Sequence, residues 1–122
     1  MVAPSAGAVV LIPFPFSDLS ETKLRPAIVL ADAGRGDWIL CQVTSNPYGD
    51  TRAVPLTRAS FATGSLRRES YARPGKLFTA NRTLIATQIG TLGAATFEQI
   101  IGAVVAVLRA SPPPRPDSES DC

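Results

Sequence analysis

The chain has 122 residues, the length of a single domain, and 45 % of them are hydrophobic. This composition is typical of a globular protein and excludes an intrinsically disordered chain. No apolar run approaches the roughly 18 residues that a membrane span needs, and no basic segment precedes the first apolar run as in a secretory signal. We therefore expect a cytoplasmic protein without a membrane partner.

The net charge of +2 conceals an uneven distribution of charged residues. Between positions 52 and 82 there are seven Lys and Arg residues against Glu69 alone, whereas the segment after Ala110 is acidic. A basic middle suits a polyanionic partner such as nucleic acid. A solvated surface that happens to use Arg would have the same composition.

The sequence contains no His and only two Cys. Cys41 lies inside an apolar run, which predicts a small buried thiol, and Cys122 ends a polar tail, so we expect no disulfide between them. No spacing of Cys with carboxylates would hold zinc, and we expect neither a metal nor another cofactor. The absence of His also removes the usual acid–base residue of RNA cleavage.

Taken in chain order, the apolar runs predict short strands bounded by turn residues. The strands are predicted at 8–14, 26–31, 38–44 and 53–56, and the last contains Pro55, which marks a sheet edge. The Gly-containing segment 32–37 has the spacing of a hairpin connection. We expect an irregular basic segment at 58–73, then extended segments at 76–79 and 83–89 on either side of a polar break.

Two polar residues flank the predicted hairpin. Arg25 precedes Pro26, which biases it toward extended geometry, and Thr44 ends the following strand. Antiparallel pairing of the two strands would place both residues at the same end of the sheet.

One helix is predicted near the end of the chain. Thr96 and Gln99 have the spacing of a capping box, and the tract that begins at Ser111 ends the helix with proline. A single apolar stripe follows the cap and predicts packing on the sheet, with room for part of it to face a second subunit: Phe97, Ile100, Ile101, Val104, Val105 and Leu108.

Many short strands followed by one amphipathic helix predict a mainly β fold, a small SH3-like curved β-barrel with a C-terminal helix. We expect residues 1–110 to form one domain and residues 111–122 to be a disordered, Pro-rich, acidic tail. A barrel of this size buries only about two-thirds of its unfolded surface, so a homodimer would be a natural way to bury more.

The residues at the end of the hairpin suit RNA cleavage without a metal, in which the ribose 2′-OH attacks the phosphate. Arg25 offers a planar fork that binds phosphate in two places, and the Thr44 hydroxyl can donate to a phosphoryl oxygen. Lys23 would face the same way and add charge. Arg is a poor proton acceptor, so we expect Asp18 or Glu21 to take that role, and the sequence does not choose between them.

Each of these residues also has an ordinary structural interpretation. An Arg before Pro is often a surface residue, and Thr-Ser before Asn-Pro often ends a strand in a turn. Phe16 is a candidate for base stacking or for the core, and Asn81 and Arg82 would either bind base edges or form a turn. The order of these residues along the chain favours the functional interpretation.

From about Gly7 to Leu108 the chain resembles the MazF/PemK family of type II toxin endoribonucleases. The resemblance is strongest over residues 7–30 and at Gln42-Val43-Thr44-Ser45, with a weaker match over 77–92. It implies a CcdB/PemK-like barrel and a homodimeric toxin that cuts single-stranded RNA at short sequences without metal. It also implies an antitoxin partner whose C-terminal segment covers the RNA groove at the dimer interface.

The resemblance also implies roles for individual residues. Arg25 and Thr44 match the catalytic pair of the family, and residues 16–23 match a flap over the RNA. We expect the substrate-binding residues to be Phe16, Ser17, Lys23, Ser45, Asn81 and Arg82.

Departures from the family pattern affect activity or specificity. Ala8 replaces an acidic residue, Glu21 replaces a loop Gly, and Leu24 replaces a basic residue. Thr79-Ala80 replaces Asp-Gln, which changes the expected base recognition. The alternative is a non-nucleolytic toxin or binding module on the same barrel that acts on a protein target, as CcdB toxins do.

Overall fold

A computed structural model describes residues 4–14 and 23–110, and these residues form seven strands and one α-helix. Short 3₁₀ turns at Arg58–Ser60 and Arg82–Leu84 lie between strands. The elements are β1 (Ala8–Phe14), β2 (Lys23–Gly34), β3 (Asp37–Thr44), β4 (Val54–Leu56), β5 (Phe61–Gly64), β6 (Ser70–Asn81), β7 (Thr87–Leu92) and α1 (Ala94–Ala110).

The strands form one antiparallel sheet in the order β4-β6-β3-β2-β1-β7-β5. The sheet curves into a nearly closed barrel, which confirms the predicted mainly β fold with one C-terminal helix. As Pro55 indicated, β4 is an edge strand. No helix in the described part of the chain is both long and apolar enough to span a membrane.

The β2–β3 hairpin is confirmed and is longer than predicted. Its turn contains Arg35 and Gly36, both with positive φ (59° and 82°), which is the backbone geometry that tight hairpins favour. Pairing continues to Gly34 opposite Asp37, so β2 extends beyond the apolar segment that identified it.

Two clusters of buried side chains lie on opposite faces of the sheet. The first, which we call the helix-side core, includes Ile28, Cys41 and Val43 and is completed by Ile100 and Val104 of α1. The second, the groove-side core, has as its outer layer Trp38, Phe78 and Ile85, and its buried members are Ala8, Val10, Ile12, Ala27, Val29, Leu40 and Ala80. No described helix covers the groove-side core.

The predicted capping box at Thr96 is wrong. The helix begins at Ala94, and the Phe97 N–H donates to the Gly93 carbonyl at 3.0 Å. Gly93 itself donates to Ser60 O at 2.8 Å, so the short link from β7 fixes the helix start three residues earlier than a cap at Thr96 would. The tight connection overrides the local capping signal.

The segment 58–73 is not irregular throughout, because it contains β5 and the start of β6. Gly64 pairs with Gly90 on β7, and a Cβ on Gly64 would overlap the Ile89 carbonyl. Because β5 pairs through a close backbone approach between glycines, its sequence lacks the alternating hydrophobic pattern by which a strand is recognised.

The next two predicted segments also differ. Residues 76–79 belong to a longer β6, because Pro74 lies at an irregularity of the β3–β6 pairing and does not end the strand. Residues 83–89 are divided between the 3₁₀ turn and β7, which begins at Thr87.

Candidate functional site

Arg25 and Thr44 lie at the same end of the antiparallel β2–β3 pair, as the hairpin prediction required. The observed β2–β3 pairing begins at Ala27 opposite Gln42, and continuing this register by two residues would set Arg25 opposite Thr44. On the other side, Thr44 pairs with Tyr71 of β6. Side chains directly opposite in such pairs have Cβ atoms about 4.5–5.5 Å apart. These three side chains therefore form a row across three strands.

A second row lies beside the first on the same face. Gln42 precedes Thr44 by two residues, so the two side chains point to the same side of β3. Arg73 precedes the irregularity in β6 and lines a groove together with Gln42. The groove has a volume of about 520 Å³, and its walls are Ile12, Pro13, Gln42, Arg73, Lys76, Leu77, Phe78, Thr79, Ala80 and Leu84. The groove runs along the outer side of the groove-side core.

Among the described residues, four cations lie in the groove or on the strand next to it, where Arg25 pairs with the groove residue Ile12. Lys23 and Arg25 are exposed and lie two positions apart on β2, so their side chains face the same side of the strand. Arg73 and Lys76 add two cations from β6, and Asp50 is the acid that pairs with Arg73. Such a surface attracts a polyanion.

The Thr44 hydroxyl takes part in a turn in the absence of a ligand. Its oxygen accepts a hydrogen bond from the Asn46 N–H at 3.2 Å, and its O–H group donates to the Asn46 carbonyl at 3.0 Å. This is the strand-end turn that the ordinary interpretation of Thr-Ser anticipated. The bond from the Asn46 N–H can persist while the hydroxyl proton rotates toward another acceptor, so the turn orients the oxygen without blocking it.

The loop after Thr44 is fastened to β6. Asp50 accepts the Arg52 N–H at 2.9 Å and Arg73 Nε at 3.1 Å. These hydrogen bonds lower the pKa of Asp50 below its ordinary value. The bond from the Arg52 N–H has the larger effect, and the bond from the Arg73 side chain adds to it. The carboxylate therefore stays ionised and holds Arg73 at the groove.

Asn81 and Arg82 lie at the opposite end of β3 from Thr44. Asn81 pairs with Asp37, and the eight residues of β3 separate the two ends by roughly 23 Å. The Asn81 amide donates to Asp37 Oδ1 at 3.1 Å, and its carbonyl accepts the Thr83 N–H and hydroxyl. Within one chain, the structure does not bring these two residues to the Arg25–Thr44 row.

The other predicted site residues divide into two groups. Ser45 is exposed directly after β3, beside the row. The flap residues Phe16, Ser17, Asp18 and Glu21 lie outside the described residues, so their roles stay predictions.

Sequence reasoning missed Gln42, Tyr48, Asp50 and Arg73 as members of the site. Gln42 was detectable, because it alternates with Thr44 along the strand. Arg73 and Asp50 are 23 positions apart, and only the β3–β6 pairing brings them together.

A profile of the PemK-like, MazF-like toxins of type II toxin–antitoxin systems matches residues 5–108. The chain belongs to this toxin family. No curated protein matches it significantly by sequence.

Solved structures of MazF-like proteins share the fold. MazF in a MazE–MazF crystal structure from Deinococcus radiodurans has 21% identity and a TM-score of 0.69, with 91% of this chain and 100% of that chain covered. An endoribonuclease from a mycobacterial species has 20% identity and a TM-score of 0.64, covering 93% and 98%. A mycobacterial endoribonuclease in complex with its cognate antitoxin has 18% identity and the same TM-score, covering 93% and 100%.

Two of the departures that the resemblance predicts lie at structurally distinct places in this MazF-like toxin. Ala8 is fully buried in the groove-side core, where an acidic side chain would need a partner. Thr79 and Ala80 line the groove itself. The second departure therefore changes the wall of the candidate site, whereas the first changes the core.

Proposed function

We propose that this chain is the toxin of a type II toxin–antitoxin system and acts as a sequence-selective endoribonuclease on single-stranded RNA, with mRNA in the cytoplasm as its substrate. The observation that carries the proposal is the β2–β3 register, whose continuation by two residues beyond Ala27–Gln42 would set Arg25 opposite Thr44, next to a groove lined by Gln42, Arg73 and Lys76. The family match and the endoribonucleases of the same fold support the same activity.

In the proposed reaction the ribose 2′-OH attacks the adjacent phosphate as its proton passes to the acceptor. The 2′-O–P bond forms while the P–O5′ bond breaks, and the leaving 5′-oxygen takes up a proton from solvent, which gives a 2′,3′-cyclic phosphate and a 5′-hydroxyl. Arg25 binds the non-bridging oxygens through its planar fork and stabilises the charge that develops on them. Thr44 donates its hydroxyl proton to a phosphoryl oxygen in place of the Asn46 carbonyl. Lys23, Arg73 and Lys76 bind neighbouring phosphates along the groove.

A proton acceptor for the 2′-OH must come from a carboxylate or another group, because the sequence has no His. Asp50 is poorly suited to this role, since its pKa is lowered and both of its oxygens accept hydrogen bonds. Asp18 and Glu21 remain the proposed candidates. The proposed mechanism uses no metal ion and no other cofactor.

We also propose a homodimer and a cognate antitoxin partner. The groove-side core has no helix over it among residues 4–14 and 23–110, and Leu77 and Leu84 are exposed beside it. A second copy of the chain would cover this face and bury apolar area that one protomer leaves in water. A dimer would also bring a second Asn81–Arg82 pair into the assembly. An antitoxin segment with acidic side chains would complement the basic end of the groove.

Cleavage of a long single-stranded RNA in EDTA tests the nuclease proposal. Purified protein is incubated with the RNA beside Arg25→Ala and beside Arg109→Ala, which removes an exposed Arg from α1, away from the groove. We expect discrete fragments from the wild type and from Arg109→Ala, and none from Arg25→Ala. The fragment ends give the cut sequence.

Two results would contradict the proposal. Cleavage by Arg25→Ala at the wild-type rate would remove the residue from the reaction. A folded wild-type protein that leaves RNA intact would favour the protein-directed alternative.

A further inference from the structure

We propose that Tyr48 is a stacking platform for a nucleotide base next to the cleaved phosphate, held in place by Arg73 and Asp50. This inference rests on the proposed nuclease function. It assigns a specificity role to a side chain outside the Arg25–Thr44 row.

Tyr48 is unusually exposed for an aromatic residue. Its relative exposure of 73% is the highest among the large hydrophobic side chains of the described residues. Aromatic rings supply a large contact area when they bind a partner, so this exposed ring is accessible to a ligand.

A continuous series of hydrogen bonds connects Tyr48 to Thr44. The Thr44 hydroxyl is bonded to the Asn46 backbone, and the Asn46 side-chain carbonyl accepts the Tyr48 N–H at 2.9 Å. Each step spans two residues. These bonds fix the backbone at Tyr48 a few residues from the hydroxyl proposed to bind the phosphate.

Arg73 supports the ring from the side of the sheet. Its guanidinium carbon lies 5.9 Å from the Tyr48 ring centroid, within the range of a cation–π contact, and its Nε is bonded to Asp50. Because the Arg takes one face of the ring, the exposed part of the side chain is available to a flat ligand. Arg73 also lines the groove, so the base and the phosphate sites share one residue.

The backbone at Tyr48 adopts a conformation that favours glycine. Its φ is 54°, in the left-handed region, and Gly49 follows with a φ of 73°. A bulky residue in this region is strained, and Gly at position 48 would relieve the strain. The aromatic residue therefore occupies a position whose backbone geometry favours Gly, and such strained positions are found at functional sites.

A nucleotide base fits this platform better than a protein side chain does. Proteins that bind single-stranded RNA combine a basic track for the backbone with aromatic rings on which the bases stack. Both parts are present here, with Arg73 and Lys76 lining the groove and Tyr48 in contact with Arg73. Loss of one such ring corresponds to roughly 5- to 150-fold in affinity.

Binding of a non-cleavable RNA tests the platform separately from catalysis. The probe is a fluorescein-labelled RNA of about 20 nucleotides, enough to exceed a typical binding site, with 2′-O-methyl groups throughout. Fluorescence anisotropy compares wild type with Tyr48→Phe, Tyr48→Leu and Tyr48→Gly. Leu108→Ala is the control, since Leu108 is similarly exposed (70%) on α1.

We expect Tyr48→Phe and Leu108→Ala to bind within twofold of wild type, and Tyr48→Leu and Tyr48→Gly to lose about tenfold. In cleavage assays the loss should raise KM more than it lowers kcat, because the ring does not contact the reacting atoms. Thermal unfolding should show Tyr48→Gly at least as stable as wild type, so that affinity and stability change independently.

Four results would overturn the inference. Wild-type affinity in Tyr48→Leu would exclude stacking, and an equal loss in Tyr48→Phe would assign the effect to the hydroxyl. RNA cleavage that depends on Arg25 but not on Tyr48 would leave the nuclease proposal standing and assign the exposed ring to a protein partner. A protein that neither binds nor cleaves RNA would overturn both proposals.

Discussion

The Thr44 hydroxyl has two roles that the structure allows to be separated. It closes the turn at the end of β3 through the Asn46 backbone, and it is the proposed donor to the phosphate. A Ser hydroxyl can make the same bonds, whereas a Val side chain has nearly the same shape and no oxygen.

We expect Thr44→Ser to keep most of the cleavage activity and Thr44→Val to lose at least tenfold in kcat. Loss of the turn bond should cost only about 1 kcal/mol in the free energy of unfolding. Single-turnover cleavage and urea denaturation measure the two effects. Equal activity in Thr44→Val and wild type would limit Thr44 to its role in the turn.

Cys41 is a residue whose environment was predicted correctly from the sequence. It is fully buried in the helix-side core, and burial raises the pKa of its thiol to about 12. Its Sγ donates to the Arg73 carbonyl at 3.2 Å. The thiol is thus neutral in the folded protein at pH values where an unfolded Cys would ionise.

This difference predicts a loss of stability at alkaline pH. Because the pKa is higher in the folded state, the stability contribution is fully present below pH 9 and is lost as the pH rises toward 12. Relative to Cys41→Ala, the wild type should lose about 1.4 kcal/mol per pH unit above that point. Urea denaturation of both proteins at pH 8 and pH 10 measures it. If the free energy of unfolding changed equally with pH in the two proteins, the pKa of the thiol would be the same in the folded and unfolded states.

At the scale of elements, α1 has one side on the core and one in solvent. Ile100 is fully buried, whereas Leu108 on the same predicted stripe is 70% exposed. The apolar stripe of α1 therefore packs against the sheet over only part of its length.

We expect Ile100→Ala to lower the free energy of unfolding by about 2–5 kcal/mol, through lost burial and the cavity left behind. Leu108→Ala removes a similar side chain from the surface of the same helix and should cost less than roughly 0.5 kcal/mol. Urea denaturation at one protein concentration compares the two. Similar losses would place Leu108 in a buried contact.

The elements that sequence reasoning predicted are those whose signals are local. The β2–β3 hairpin follows from apolar strands around a Gly-containing turn, and its pairing brings Arg25 to Thr44. The start of α1 was wrong, because the Gly93–Ser60 contact is not local. β5 was missed for the same reason.

The candidate site shows the same division between local and distant signals. Arg25 and Thr44 could be chosen from the two strand ends of one hairpin. The Tyr48 loop could not, because it is held by Arg73 from a strand 25 positions further on. Asn81 looked available in the sequence, yet its side chain is bonded to Asp37 and Thr83.

At the scale of the whole molecule, the two faces of the sheet are covered unequally. One face carries α1, whereas the outer layer over the buried side chains of the other face consists, in the described part of the chain, of partly buried side chains. Apolar side chains beside a basic groove are suited to an interface, with the charged end left open for RNA.

A charge on the uncovered face should therefore break the dimer. Leu84 is 51% exposed and lines the groove, so Leu84→Glu would place a carboxylate against the second copy without disturbing the fold of one protomer. Ala59→Glu introduces the same charge at the exposed 3₁₀ turn before β5 and serves as control. Size-exclusion chromatography with light scattering should give a dimer for wild type and Ala59→Glu, and a folded monomer for Leu84→Glu. A dimeric Leu84→Glu would move the interface to another surface, with the exposed end of α1 as the next one to test.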